Sequence, residues 1–261
     1  MRAVRAVVGV LGELLITVGV LFLLFVVWQL GYVAVVDGQQ QAGVVSALEQ
    51  DFGGVGHGLV GAKPGPAQPG TQAGTQPGTA QPGTAQPGNT GAPPLDASLK
   101  NGDVFGIVRI PRLGGPTWAK PVFQGDGLDV LAKGLGHYSA TQLPGEVGNV
   151  AIAGHRAGHG SPLINIDAIQ PGDVMIIETR EAYFVYRAVR SKIVLPNKVD
   201  VLDPVPEQPG ATPTERWFTL TSCNPRYGSS HRYIVFAAFE QKIPHEQGLP
   251  PDLLADPARQ A

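Results

Sequence analysis

Two stretches of the chain carry nearly all of its apolar pattern, and they carry it differently. From Leu14 to Val36 no side chain is charged, and as a helix those residues reach about 34 Å, enough for a hydrocarbon core of about 30 Å. Residues 1–36 are therefore expected to form a membrane anchor. Trp28 and Tyr32 suit the far interface, and Glu13 lies near the opposite end, within reach of headgroups. Arg2 and Arg5 precede the span and nothing basic follows until Lys63. That bias sets the N-terminus in the cytoplasm and the remainder outside, as a single-pass protein of the cell membrane. A cleaved signal peptide is the competing reading. Its apolar region would be too long, and no convincing small-x-small site follows it.

The second stretch, residues 100–243, replaces one long apolar run by short β-branched or alternating ones. These are 104–110, 120–124, 149–154, 173–179, 182–189, 192–195, 217–222 and 232–239, bounded by Gly, Pro, Asn and Asp as strands are. "TREA" at 179–182 predicts a tight hairpin. Only "GLDVLAKGL" and "SPLINIDAI" have a helical period, and both are short. A mostly β fold follows, an antiparallel or mixed eight-stranded β-barrel with a few short helices, of single-domain size.

Between the two, composition collapses. Residues 61–99 are chiefly Gly, Pro, Gln, Thr and Ala, with "QPGT" at 68–71, 76–79 and 81–84 and "QPGN" at 86–89. Such a segment has little to bury and is expected to be a disordered tether that holds the barrel away from the membrane. Residues 37–60 form a juxtamembrane segment in which "VVSALEQDF" predicts a helical turn or two, and residues 244–261 form a Pro-rich tail.

Composition narrows the function. A net charge of −2 without a basic stripe gives no footprint for nucleic acid. One cysteine excludes an intrachain disulfide framework and a Cys-rich zinc site. No cluster of loop carboxylates calls for a metal, and no cofactor is expected.

That cysteine, Cys223, ends the predicted strand "WFTLTS", in which Trp217, Thr219 and Thr221 face one way and Phe218 and Leu220 the other. It precedes a loop, "NPRYGSS". A buried Cys is usually inert filler. A strand end with Arg226, His231 and Arg232 nearby is equally suited to a nucleophile, because the thiolate is the reactive form and positive charge favours it. Composition leaves the two readings level. His155 also stands just past a strand, in "NVAIAGHRAGHGSP". With His159 it has the i, i+4 spacing of a metal pair, but "HRAGHG" is a poor helix and no carboxylate follows before Asp167. General acid–base work beside Cys223 fits better than a strand-capping or metal role.

"TLTSC" with Arg232 nine positions after the Cys, and "AIAGHR" upstream, resembles the sortases, cysteine transpeptidases of Gram-positive cell walls. "GIVRIPRLG", "GLGHY", "GEVGNVAIAGHR" and the anchor-plus-linker layout resemble class E sortases of actinobacteria in particular. The resemblance covers residues 103–240. It implies a sortase-like barrel with Cys223 as nucleophile, His155 as general acid and Arg232 as stabiliser of the oxyanion or substrate backbone. Partners implied are secreted proteins bearing a C-terminal L-A-x-T-G or L-P-x-T-G sorting signal, and an amine of a lipid-linked cell-wall precursor or a pilin lysine. Tyr138, Thr221 and Ser222 are candidate substrate-binding residues. Ser222 stands where the family usually has Thr, and Asn224 where class E members often have His; His231 lies outside the family pattern and is expected on the face opposite Arg232. An L,D-transpeptidase is the rival enzyme, but its Cys follows a His by fewer than twenty residues, and here the interval is 68. A catalytically inactive sortase-like binding module is the rival from another class; it sits poorly with the presence of all three groups.

Overall fold

The computed structural model describes residues 2–52 and 98–255. Most of the expected linker, residues 53–60 of the juxtamembrane segment and residues 256–261 of the tail lie outside the described residues.

One helix, α1 (Arg2–Asp51), runs through the apolar N-terminal stretch and on past Val36 without a break. The strands are β1 (Val104–Arg109), β2 (Ala119–Gln124), β3 (Leu135–His137), β4 (Gly148–Gly154), β5 (Val174–Thr179), β6 (Ala182–Val194), β7 (Arg216–Asn224) and β8 (His231–Pro244). They close a barrel in the order β1-β2-β3-β4-β7-β8-β6-β5. The β2/β3 and β4/β7 pairs are parallel and the others antiparallel.

The eight-stranded barrel is the expected one, but its strands are not quite those read from the pattern. The runs 182–189 and 192–195 are a single strand, β6, whose exposed Arg190 and Ser191 interrupt the apolar sequence beside a register shift at Ala188/Arg190. In compensation β3 was not anticipated: three residues are too few to show a period. "GLDVLAKGL" holds one helical turn, α2 (Leu128–Leu131), and "SPLINIDAI" a 3-10 turn at Ile166–Ala168. The hairpin at 179–182 forms as expected, β5 ending at Thr179 and β6 starting at Ala182.

Alternation decides the interior. Val150 and Ile152 of β4, Phe218 and Leu220 of β7, and Met175 and Ile177 of β5 point inward and are buried. Each such side chain contributes about 1.5–3 kcal/mol relative to exposure. Several strands are apolar on their outer face as well, because three other segments cover the barrel from outside. The Pro251–Leu254 turn seats Leu253 and Leu254 on Ile176, Tyr183, Val185 and Ile243. The Val199–Leu202 turn packs Val201 with Val194, Ile234 and Phe236.

The third cover is α1. Gln41, Val45, Leu48 and Phe52 are buried, a stripe at i, i+4, i+7 and i+11 that puts one helix face on Ile107 and Ala119. Beside that contact Arg109 donates from Nε to Glu178 (2.8 Å) and from Nη2 to Glu49 (2.6 Å). Glu178 is fully buried, so this ion pair lies under the helix rather than on a free surface. Asp51 pairs with Arg180 at the helix end. By contrast, the apolar side chains from Val10 to Phe25 are exposed.

Candidate active site

The site is built on the outer face of the barrel, at one end of β4, β7 and β8. Parity places Thr219, Thr221 and Cys223 of β7 outward, opposite in direction to Phe218 and Leu220. Asn149, Ala151 and Ala153 of β4 lie on the same face, in parallel register with Trp217, Thr219 and Thr221. Small side chains across two adjacent strands form a floor that is itself buried, Asn149, Ala151 and Thr219 fully so. Asn149 fixes one wall: its Nδ2 donates to the carbonyls of Val201 (3.2 Å) and Asp203 (3.1 Å), and its Oδ1 accepts from Thr219 (2.8 Å).

Cys223 is half-buried at the end of this floor. It is the direct antiparallel partner of Arg232, so the two side chains leave the sheet on one face. The Arg232 guanidinium is tied down by Nη1, which donates to the carbonyls of Ser229 (2.9 Å) and His231 (3.0 Å). On the other flank, β4 and β7 are in register to Gly154 and Ser222. One step further along both strands stand His155 and Cys223. The three residues singled out from the sequence thus occupy neighbouring positions at one end of β4, β7 and β8.

Gly154 is where the chain must have no side chain. A Cβ there would come within 2.5 Å of Leu135 and 2.8 Å of Leu163, which close the barrel under His155. Beyond His155 the backbone enters an uncommon state. Gly158, His159, Gly160 and Ser161 all have positive φ, at 80°, 49°, 71° and 46°. For His159 and Ser161 that region costs of order 1–3 kcal/mol each and needs surroundings that enforce it. The turn brings the His159 ring onto His155, 4.8 Å between centroids. Burial, and then the neighbouring His159, holds the His155 imidazole below the ordinary histidine value.

His137, enclosed behind the site, is also lowered, chiefly by burial. The sign of the stability effect follows. As pH falls, the unfolded chain takes up these protons near the ordinary value of about 6.5, and the folded chain only below it. Their contribution is therefore complete above about 6.5 and is lost as pH falls through that value toward the lower folded ones. We expect the thermal midpoint of the full chain to be lower at pH 5.5 than at pH 7.5, with a shallower fall in His155→Asn. A midpoint that rises on acidification would contradict this.

The remaining candidates divide. Thr221 and Tyr138 belong to the outward face and touch, Oη to Oγ1 at 3.1 Å; burial pushes the Tyr138 phenol up. Ser222 does not share that face. It points inward, is buried, and donates to the Gly154 carbonyl (2.8 Å), locking β4 to β7 beside His155 and Cys223. Asn224, also on the inner side, accepts from Nη1 of buried Arg156 at 2.5 Å. Arg156 in turn binds Asp167 (2.7 Å) and lies over the Tyr233 ring. His231 pairs with Asn224, on the face away from Arg232, and its Nδ1 sits 3.0 Å from Ser230 Oγ. Among the described residues no three His, Cys, Asp or Glu side chains gather as a metal site.

The model of the sortase domain matches residues 108–240, a span holding the floor, Cys223, His155 and Arg232. The chain belongs to the sortase family. Sortase SrtE1 of Streptomyces coelicolor is 32% identical over 253 residues, covering 94% of this chain and 60% of that protein, so the chain spans less than two thirds of that relative's length. Among solved structures, sortase E of Streptomyces avermitilis is similar at 40% identity and a TM-score of 0.54, over 59% of this chain and 99% of the other. Sortase E1 of Streptomyces coelicolor, solved with a tripeptide in the active site, is similar at 34% identity and a TM-score of 0.53, over 59% of this chain and 97% of the other. The two departures from the usual sortase pattern now have local explanations. Ser222 keeps the hydroxyl that reaches Gly154, and Asn224 supplies the oxygen that holds Arg156. Sequence reasoning missed Arg156, Asn149 and Gln41 as parts of this region. Asn149 was detectable in principle as an amide inside an otherwise apolar strand.

Proposed function

We propose that this chain is a membrane-anchored transpeptidase that cuts the Thr–Gly bond of a C-terminal sorting signal and passes the protein to an amine of a lipid-linked cell-wall precursor. The observation that carries the reading is the neighbouring placement of a thiol, an imidazole and a guanidinium at one end of β4, β7 and β8. The Cys223 thiolate adds to the scissile carbonyl carbon, and the carbonyl electrons become the oxyanion. Arg232, its direction fixed by two backbone carbonyls, offsets that charge. The intermediate collapses to a thioester, the C–N bond breaks, and the glycine nitrogen takes a proton from His155. The incoming amine attacks the thioester and gives a proton to the now neutral His155; the C–S bond breaks, an amide forms, and the thiolate and imidazolium are restored.

The floor of small residues beside Tyr138 and Thr221 suits an extended peptide, and a relative's structure holds a tripeptide in its active site. The exposed apolar segment Gly9–Val26 of α1 is the anchor, with the barrel outside the cell. For signal choice we favour L-A-x-T-G over L-P-x-T-G. The test uses the full chain in detergent micelles, each peptide and a glycine-based amine, with products read by mass spectrometry. A joined product, and a thioester trapped on Cys223, is expected, in larger amount from L-A-x-T-G. Neither product nor thioester from either peptide would remove the reading.

A further inference from the structure

The turn that carries His159 against His155 is gripped from outside the barrel. Gln41 of α1 donates from Nε2 to the His159 carbonyl at 3.0 Å, and its Oε1 accepts from Lys120 Nζ of β2 at 3.1 Å. Gln41 itself is buried, and a Cβ on Gly160 would stand only 3.0 Å from its Nε2. Among the described residues the backbone bonds here are local: Ser161 N to Gly158 O (2.8 Å), Leu163 N to His155 O (3.0 Å) and Ile164 N to Ser161 O (3.2 Å), while Arg156, just before the turn, is held by Asn224 and Asp167. Side chains at positive φ persist where neighbours over-determine the backbone, and the neighbour on the solvent side of this turn is the helix.

We propose that α1 is a positioning element of the active site, Gln41 clasping the left-handed turn after β4 so that the docked helix sets where His155 stands. The inference rests on the reading of His155 as general acid. The helix reaches this position because Val45, Leu48 and Phe52 seat it on Ile107, and Glu49 joins it to Arg109. A barrel cut free of residues 2–52 would lose the clasp together with that cover.

The decisive variant is Gln41→Glu, in the full chain in micelles. Glutamate keeps the oxygen that meets Lys120 and removes the nitrogen that donates to His159. Turnover of the L-A-x-T-G peptide is read per Cys223 thiol that reacts with an alkylating reagent, so that loss of folded protein does not count. Amide hydrogen exchange over residues 155–164 is followed on the same samples. Expected are faster exchange, a kcat lower by about ten- to a hundredfold, and little change in KM, since the β4–β7 floor is untouched. Gln41→Met, uncharged and without a donor, should give the same pattern, and serves if the glutamate variant folds poorly. Wild-type kcat per thiol, or unchanged exchange, overturns the proposal. An inactive wild type whose exchange still responds to Gln41→Glu would instead defeat the general-acid reading and leave the clasp standing.

Discussion

Cys223→Ala is expected to reduce transpeptidation by on the order of 10⁴-fold or more, as removal of a covalent nucleophile does elsewhere, and to abolish the trapped thioester. The fold should barely notice. Cys223 is half-buried at the barrel end, outside the interior cluster that includes its neighbours Phe218 and Leu220. For comparison, Leu220→Ala inside the barrel should cost about 2–5 kcal/mol. The experiment compares product formation with the thermal midpoint. Equal turnover by wild type and Cys223→Ala would end the case for a thiol enzyme.

Arg232→Ala should lower kcat by about 10²–10³-fold, the usual loss when one oxyanion donor is removed, corresponding to about 3–4 kcal/mol. Its cross-strand position against Cys223 makes it the guanidinium best placed for that role. Arg226 is directed elsewhere, with Nη2 3.4 Å from Asn165 Oδ1 and 3.7 Å from Asp167. Arg232→Lys tests geometry separately from charge. A lysine is a point charge that cannot hold the Ser229 and His231 carbonyls and still present a planar fork. It should therefore remain well below wild type. A lysine variant with full activity would rule out the bidentate role, even if alanine is inactive.

The β content and the positions of Cys223 and His155 at strand ends were legible because each rests on local pattern; their proposed roles, and that of Arg232, came from the resemblance to the sortases. Alternation in β4 and β7 fixes which side chains turn outward, and strand ends at Gly154 and Asn224 follow from the turn chemistry after them. What could not be read depends on partners remote in the chain. Whether Ser222 or Thr221 faces the floor is settled by parity with Cys223, yet the use of the Ser222 hydroxyl on Gly154 appears only with the parallel β4/β7 register. "VFGIVRI" gives no hint that Ile107 is covered by a helix sixty residues earlier. The short run "VVSALEQDF" predicted some helix, but not that its stripe docks on the barrel, since Gln41 is polar and its bond is to His159, 118 positions away. Burial of Leu253 and Leu254 was hidden by the prolines around them.

The docking of α1 also bears on how far the barrel stands from the exposed apolar part of that helix. Phe52 and Leu99 both pack on the barrel, so the described residues on either side of the stretch 53–97 are fixed to one body. For a flexible loop with fixed ends, doubling the length changes the closure entropy by only about 0.6 kcal/mol. In the proposed anchoring, the stretch of α1 from Val26 to Gln41, about 22 Å as a helix, sets the distance from bilayer to thiol and is counted in helical turns.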